Sequence, residues 1–253
     1  MDFTPIEAML RPMDGVVTMY YKNLAGGEEW QYRADEPVNA ASVIKIPVMI
    51  EAFAQMKAGK LHAHERFVLH EADRLPSCGA LKTMHEGMEL TAMDLVKLMI
   101  ILSDNTATNM LVKRMGMEHV NARLEALGLE RTRMRRLLFD RQASAQGLRN
   151  TVTAREIGSL LERLYRGEIV DAPSSEAMLA ILKDQRLNGK IPFFLHAQDI
   201  ACAHKTGEDS TVTHDCGIVY AREPFVVCFC SEGVDVAAFE RVMQDATRLL
   251  AGV

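Results

Sequence analysis

No apolar run in this 253-residue chain reaches about 18 residues, the length a helix needs to cross a bilayer, so no membrane span is expected. It also lacks a basic stripe. The formal net charge is -5, and the only basic run, Arg131 to Arg136, is too short to neutralise a row of phosphates, which excludes nucleic acid as an expected partner. Cysteine is scarce and odd in number: Cys78, Cys202, Cys216, Cys228 and Cys230 show no metal-ligand spacing. Four of them fall in the strand-like C-terminal third, where they read as small buried thiols of a reducing compartment. No metal and no cofactor is expected. The opening Met1-Asp2-Phe3-Thr4-Pro5-Ile6 has neither a basic n-region nor an apolar h-region, so the chain as it stands reads as cytosolic, or as exported if a leader has been removed. Internal repeats and low-complexity segments are absent as well.

What is present is an ordinary globular composition, 48% hydrophobic and 25% charged, enough to bury one large core or two interleaved ones. Two strand-like runs, Val16 to Tyr21 and Glu29 to Tyr32, flank Ala25-Gly26-Gly27 and predict a hairpin. After Ala40 the pattern becomes helical, with Ile44, Val48, Met49, Phe53 and Met56 at 3.6 spacing up to Gly59, so that Ser42 begins a helix. Thr91-x-x-Asp94 opens a helix apolar nearly all round to Leu102, and further helices are predicted over 106–115, 118–127, 153–166 and 174–183. Alternation returns at 200–205, 214–220 and 225–231, before a last helix over 236–250. The fold class is therefore α+β: one antiparallel sheet built from both ends of the chain and covered by helices in three α/β/α layers, with an all-helical subdomain to one side. The sheet part is expected from 1–41 and 200–253, the helical part roughly from 60–190, within a single domain 1–253 read as a monomer. Arg131 to Asn150 is the only long irregular segment expected, a candidate Ω-type loop.

Three short strings bear chemistry. In Ser42-Val43-Ile44-Lys45 the serine and lysine are one helical turn apart on the same face, where a desolvated lysine can act as base toward the hydroxyl. The helix start also sets the Ser42 N–H where a developing oxyanion would be favoured. Ser103-Asp104-Asn105 follows the buried helix. Ser103 and Asn105 point to one side, Ser103 as a proton relay and Asn105 as a holder of Lys45 or of a substrate carbonyl, while Asp104 suits an N-cap. Lys205-Thr206-Gly207 ends a strand: Lys205 supplies positive potential, Thr206 a hydroxyl for a substrate carboxylate, and Gly207 room for close approach. The N–H of Glu208 would complete an oxyanion hole with that of Ser42.

Each string alone is weak; together, in this order and spacing, they resemble a class A β-lactamase within the penicillin-recognising serine hydrolases. Leu75-Pro76-Ser77-Cys78-Gly79-Ala80-Leu81, Gly87-Met88-Glu89-Leu90-Thr91 and the Ser103 to Asn109 run are also similar to that family, and the likeness covers most of residues 15–250. The resemblance implies a β-lactamase/transpeptidase-like fold and an acyl-enzyme on Ser42. It also implies a deacylating glutamate in the Ω-loop, yet 131–150 contains no glutamate; aligned back from Asn150, that position falls near Leu137. Asp140 is the loop's one carboxylate, a substitute base or a surface acid. The arginine the family carries on the strand after Lys-Thr-Gly is missing too, and His214 stands there either as a weaker carboxylate partner or as a structural histidine. Glu208 and Asp209 add negative charge where a penicillin would bring its carboxylate. Three functions follow: a serine hydrolase of β-lactams with a slow deacylation step, a peptidase or esterase acting on D-alanyl peptides or small esters, or a non-hydrolytic penicillin-binding sensor. In each the partner is a small molecule.

Overall fold

The computed structural model describes residues 1–253. Helix α1 (Thr4–Leu10) turns Ile6 and Leu10 inward and leads to the hairpin β1 (Val16–Asn23) and β2 (Glu29–Tyr32). After β3 (Val38–Asn39), a 3-10 turn over Ala41–Ile44 runs into α2 (Lys45–Lys57). Beyond β4 (Arg66–Val68) and β5 (Glu89–Thr91) come α3 (Ala92–Ile101), α4 (Asn105–Met115) and α5 (Met117–Ala126). The next loop holds the short α6 (Arg141–Ala145), and β6 (Thr151–Val152), α7 (Ala154–Tyr165) and α8 (Ala172–Lys183) follow it. The meander β7 (Cys202–Asp209), β8 (Val212–Val219) and β9 (Phe225–Glu232) precedes α9 (Val236–Ala251).

The main sheet has five antiparallel strands in the order β2-β1-β9-β8-β7, so the first and last strands of the chain meet at its centre. Period-two alternation along β9 makes two cores from one strand. Phe225, Val227 and Phe229 point to a smaller core with Phe239, Met243 and Leu250 of α9 and with Ile6 and Leu10 of α1. Val226, Cys228 and Cys230 point the opposite way, into a larger core shared with α2, α3 and α7. The thiols on this second face are free, and burial raises those of Cys216 and Cys228 above the ordinary thiol range, so they stay protonated and serve as small packing groups. Closeness there is visible at Gly158 of α7, where an added Cβ would come within 2.2 Å of the Tyr20 ring.

Three local expectations are corrected. Ser42 lies in a 3-10 turn, and the α-helix begins at Lys45; Pro47 in its first turn removes an N–H that has no intrahelical partner anyway. β7 does not stop at Lys205 but continues to Asp209, because it pairs with β8 along its whole length through Asp209↔Val212. Residues 58–91 form a second long, mostly irregular stretch; Leu61, Leu69, Leu81 and Leu90 anchor it to the larger core without any periodic spacing.

Candidate active site

The three strings meet in a cleft of about 820 Å³ at the open edge of β7. Ser42 is half-buried on its wall, while Lys45 and Lys205 lie behind it, fully buried. Ser103 joins α3 to α4 with φ 52°, a left-handed conformation uncommon for a non-glycine residue, and Ala41, just before Ser42, has φ 40°. Such strain persists only where surroundings hold it. Asp104 provides part of the hold. Its Oδ1 accepts from Ala107 N at 2.9 Å, capping α4, and its Oδ2 accepts from Leu81 N at 2.8 Å, tying the loop to the 3-10 turn over Leu81–Thr83. Gly79 packs so closely on Asp104 that a Cβ there would come within 2.3 Å of it.

Lys45 Nζ is within hydrogen-bond distance of Ser42 Oγ at 2.9 Å, Ser103 O at 2.8 Å, Ser103 Oγ at 3.1 Å and Asn105 Oδ1 at 2.8 Å. No carboxylate pairs with it. Burial, reinforced by the charge of Lys205, holds this amine well below the usual lysine range. A neutral amine has two N–H donors and one lone pair. The Ser103 carbonyl and the Asn105 amide oxygen can only accept, so they take the two donors, and the lone pair is left for the Ser42 hydroxyl.

Lys205 Nζ donates to Ser103 Oγ at 3.0 Å and to Thr206 O at 2.8 Å. Burial lowers it to about 7, against the upward pull of Asp215. Ser103 Oγ thus stands between two lysine amines. Alternation of the antiparallel ladder settles what β7 offers at its edge. Tyr220 N donates to Ala201 O at 2.9 Å, and counting along the continuous pairing turns the N–H of Glu208 away from β8, toward the open edge. The Glu208 carboxylate goes elsewhere, to Lys190 Nζ at 2.9 Å. The negative charge expected from Glu208 is therefore paired, leaving Asp209 as the unpaired acid at this end of the cleft.

His214 does not line the cleft. It is fully buried behind Gly207, where an added Cβ would come within 2.9 Å of the imidazole. Its Nδ1 accepts from Ser231 N at 3.0 Å, which places the proton on Nε2 to donate to Asn39 O at 2.7 Å. Burial pushes it down to about 4, so it is neutral at ordinary pH and ties β8 to β3.

The 131–150 loop forms another wall. Near the position aligned with the family's glutamate, Leu138 lines the cleft and Leu137 does not. The register is set by Asn109, whose amide gives Nδ2 to Leu138 O at 2.9 Å and takes Leu138 N at 3.0 Å through Oδ1. Asp140 reaches the cleft, but its Oδ1 caps α6 by accepting from Ala143 N at 2.9 Å. Asn150 closes the neck: its Oδ1 accepts from Arg135 N and Arg136 N at 2.8 and 3.1 Å, and its Nδ2 donates to Arg136 O at 3.1 Å. Sequence reasoning missed the role of Asn109, although it lies one helical turn after Asn105 on the same face of α4. It also missed Lys190, which no local pattern marks.

A family model described as the Beta-lactamase enzyme family matches residues 4–252. The chain is similar to Beta-lactamase L2 of Stenotrophomonas maltophilia, 29% identical over 185 residues that make up 72% of this chain and 60% of that protein. The match thus spans less than two thirds of that relative's length. A crystal structure of a beta-lactamase from Sphaerobacter thermophilus superimposes with a TM-score of 0.93 at 31% identity, covering 99% of this chain and 97% of that one. PBP-A, in a leucine-to-glutamate variant solved as an acyl-enzyme complex with penicillin G, superimposes with a TM-score of 0.87 at 25% identity, covering 98% and 93%.

Proposed function

The chain belongs to the beta-lactamase enzyme family, and on that premise we propose that it is a serine hydrolase in which Ser42 is acylated readily by β-lactams and deacylated slowly. The observation that supports this most is Lys45 Nζ, 2.9 Å from Ser42 Oγ and held by the neutral acceptors Ser103 O and Asn105 Oδ1, an arrangement in which the deprotonated amine would present its lone pair to the hydroxyl. Lys45 takes the hydroxyl proton as Ser42 Oγ attacks the amide carbonyl. The oxyanion that forms is received by the N–H groups of Ser42 and Glu208. As the C–N bond breaks, the proton passes from Lys45 through Ser103 Oγ, 3.1 Å away, to the leaving nitrogen, and Lys45 returns to its neutral form. Lys205 and Thr206 hold the carboxylate of the substrate.

The second half of the cycle lacks its base. A water attacking the ester needs a proton acceptor, and the loop wall offers Leu138, with Asp140 engaged as a helix cap. The same lack supports a second reading, a peptidase or esterase for D-alanyl peptides or small esters. An intact-mass time course with benzylpenicillin tests the proposal: rapid addition of one penicilloyl group, lost slowly, and no addition to Ser42→Ala. Fast multiple turnover with no adduct would refute slow deacylation. A D-alanyl peptide or p-nitrophenyl ester turned over much faster than the penicillin would select the second reading, and an adduct that never leaves, with no ester turnover, would select a sensor.

A further inference from the structure

Arg136 and Arg141 line the cleft from the loop wall, and neither guanidinium pairs with a carboxylate, although most other arginines in the protein do. Arg136 Nε is buried with no hydrogen-bond partner at all, and its one side-chain bond is a long contact, 3.3 Å from Nη1 to Leu137 O. A buried guanidinium donor left unmatched costs free energy unless something fills it. Between the two arginines in sequence, Phe139 also lines the cleft, a residue 45% exposed on a backbone at φ 59°. A phenyl ring left in water, on a residue in a left-handed conformation, is a second unmatched feature of the same wall. Asp140 does not neutralise the arginines, since its carboxylate caps α6 and makes no ion pair. The loop wall thus carries two guanidiniums against the one carboxylate of Asp140 and stays net positive, while Asp209, also without an ion pair, makes the end of β7 negative.

We propose that this wall is an acyl-group subsite for a substrate whose acyl side chain joins a planar apolar body to a carboxylate, the ring against Phe139 and the anion on Arg136 and Arg141. The inference rests on the acylation of Ser42 proposed above and names the kind of acyl group it takes. Two anions would then be read at two places: the one on the leaving half by Lys205 and Thr206, the one on the acyl half by the arginines. Guanidinium suits the second place because its planar fork can grip a carboxylate through two N–H groups.

Benzylpenicillin and carbenicillin make a matched pair, differing by one carboxylate on the benzylic carbon. The second-order acylation rate, followed by intact mass, should be about tenfold higher for carbenicillin, as expected for one charge-assisted contact. The ratio should fall to about one in Arg141→Gln combined with Arg136→Gln. Arg141 is exposed, so Arg141→Gln alone lowers the ratio even if replacement of half-buried Arg136 prevents folding. Equilibrium binding of the pair to Ser42→Ala separates the two claims: a preference for carbenicillin there with no acylation of the parent overturns the Ser42 assignment and leaves the subsite standing. A parent ratio at or below one in both measurements, or a ratio unmoved by the arginine substitutions, overturns the subsite.

Discussion

Three buried lysines lie within reach of β7, and the two faces of that strand treat them differently. On the cleft face Lys45 and Lys205 are surrounded by hydroxyls, carbonyls and an amide, and no carboxylate touches either. Behind the strand Lys190 is equally inaccessible but lies 2.9 Å from Glu208 and 3.5 Å from Glu240. His204 on that same side is likewise matched by Asp215 at 2.8 Å. Burial is common to all three amines. Lys45 and Lys205, the pair denied an anion, are pushed downward, and Lys45 Nζ stands 2.9 Å from a serine hydroxyl. A reactive amine is made here by what is withheld from its surroundings, and the paired face supplies the rigid back of the strand on which it depends.

The largest effect should come from breaking the withheld side. Lys45→Ala should slow acylation by benzylpenicillin about 10²- to 10⁴-fold, with the far-UV circular dichroism unchanged, as for loss of a positioned base. An acylation rate within a factor of about three of the parent would pass the role of base to another group. Supplying an anion on the loop wall should act on the other half-reaction. Leu138→Glu should accelerate loss of the penicilloyl adduct by about 10²-fold, provided Asn109 still fixes the loop, whereas Leu137→Glu should leave it nearly unchanged. If the two variants behave alike, the loop register described above is wrong.

Lys205 sharpens the comparison through pH. It must be protonated to attract a carboxylate, and its amine is lowered to about 7. As pH rises through that value the charge is lost, so kcat/KM for carboxylate-bearing substrates should decline on an alkaline limb that neutral esters do not show. Lys205→Arg should remove the limb, because guanidinium keeps its charge. A limb of equal size for both substrate classes would make the Lys205 proton part of the chemistry. The smallest effect belongs to the paired face. Lys190→Met leaves Glu208 and Glu240 without their cation and should cost about 1–2 kcal/mol in urea unfolding, less than a fully buried pair because both carboxylates keep contact with water. Acylation should change by less than about threefold. A loss of acylation comparable to that of Lys45→Ala would mean that the two faces are not separable.

Much of this was legible in the sequence because it is periodic or local. The 3.6-residue spacing of Ile44 to Met56, the alternation in 225–231 and the capping box at Thr91 each predict an element that is present. The proximity of Ser42, Lys45, Ser103, Asn105 and Lys205 also follows from the three strings. What escaped has neither period nor local partner. Residues 58–91 are anchored by single leucines at irregular intervals. The fate of His214 depends on which strand face meets Asn39, 175 residues away, and alternation names two faces without saying what lies beyond each. That Leu138 and not Leu137 lines the cleft is decided in a loop, where a one-residue shift leaves no hydrophobic pattern to object; the register is fixed by a distant asparagine instead.

The meeting of β1 and β9 at the middle of the sheet has a consequence for synthesis. Thr18 Oγ1 donates to Cys230 O across 212 positions of sequence. On a ribosome adding about 5–20 residues per second, β1 waits on the order of 10–40 s for its inner neighbour to be made. Throughout that interval Met19 and Tyr21 have no α9 to cover them, and a two-stranded hairpin is marginal in water on its own. Contacts so remote in sequence also slow folding after release. The nascent chain therefore exposes β1 longest, and yield during expression should depend on chaperone supply and growth temperature more than on the stability of the finished protein.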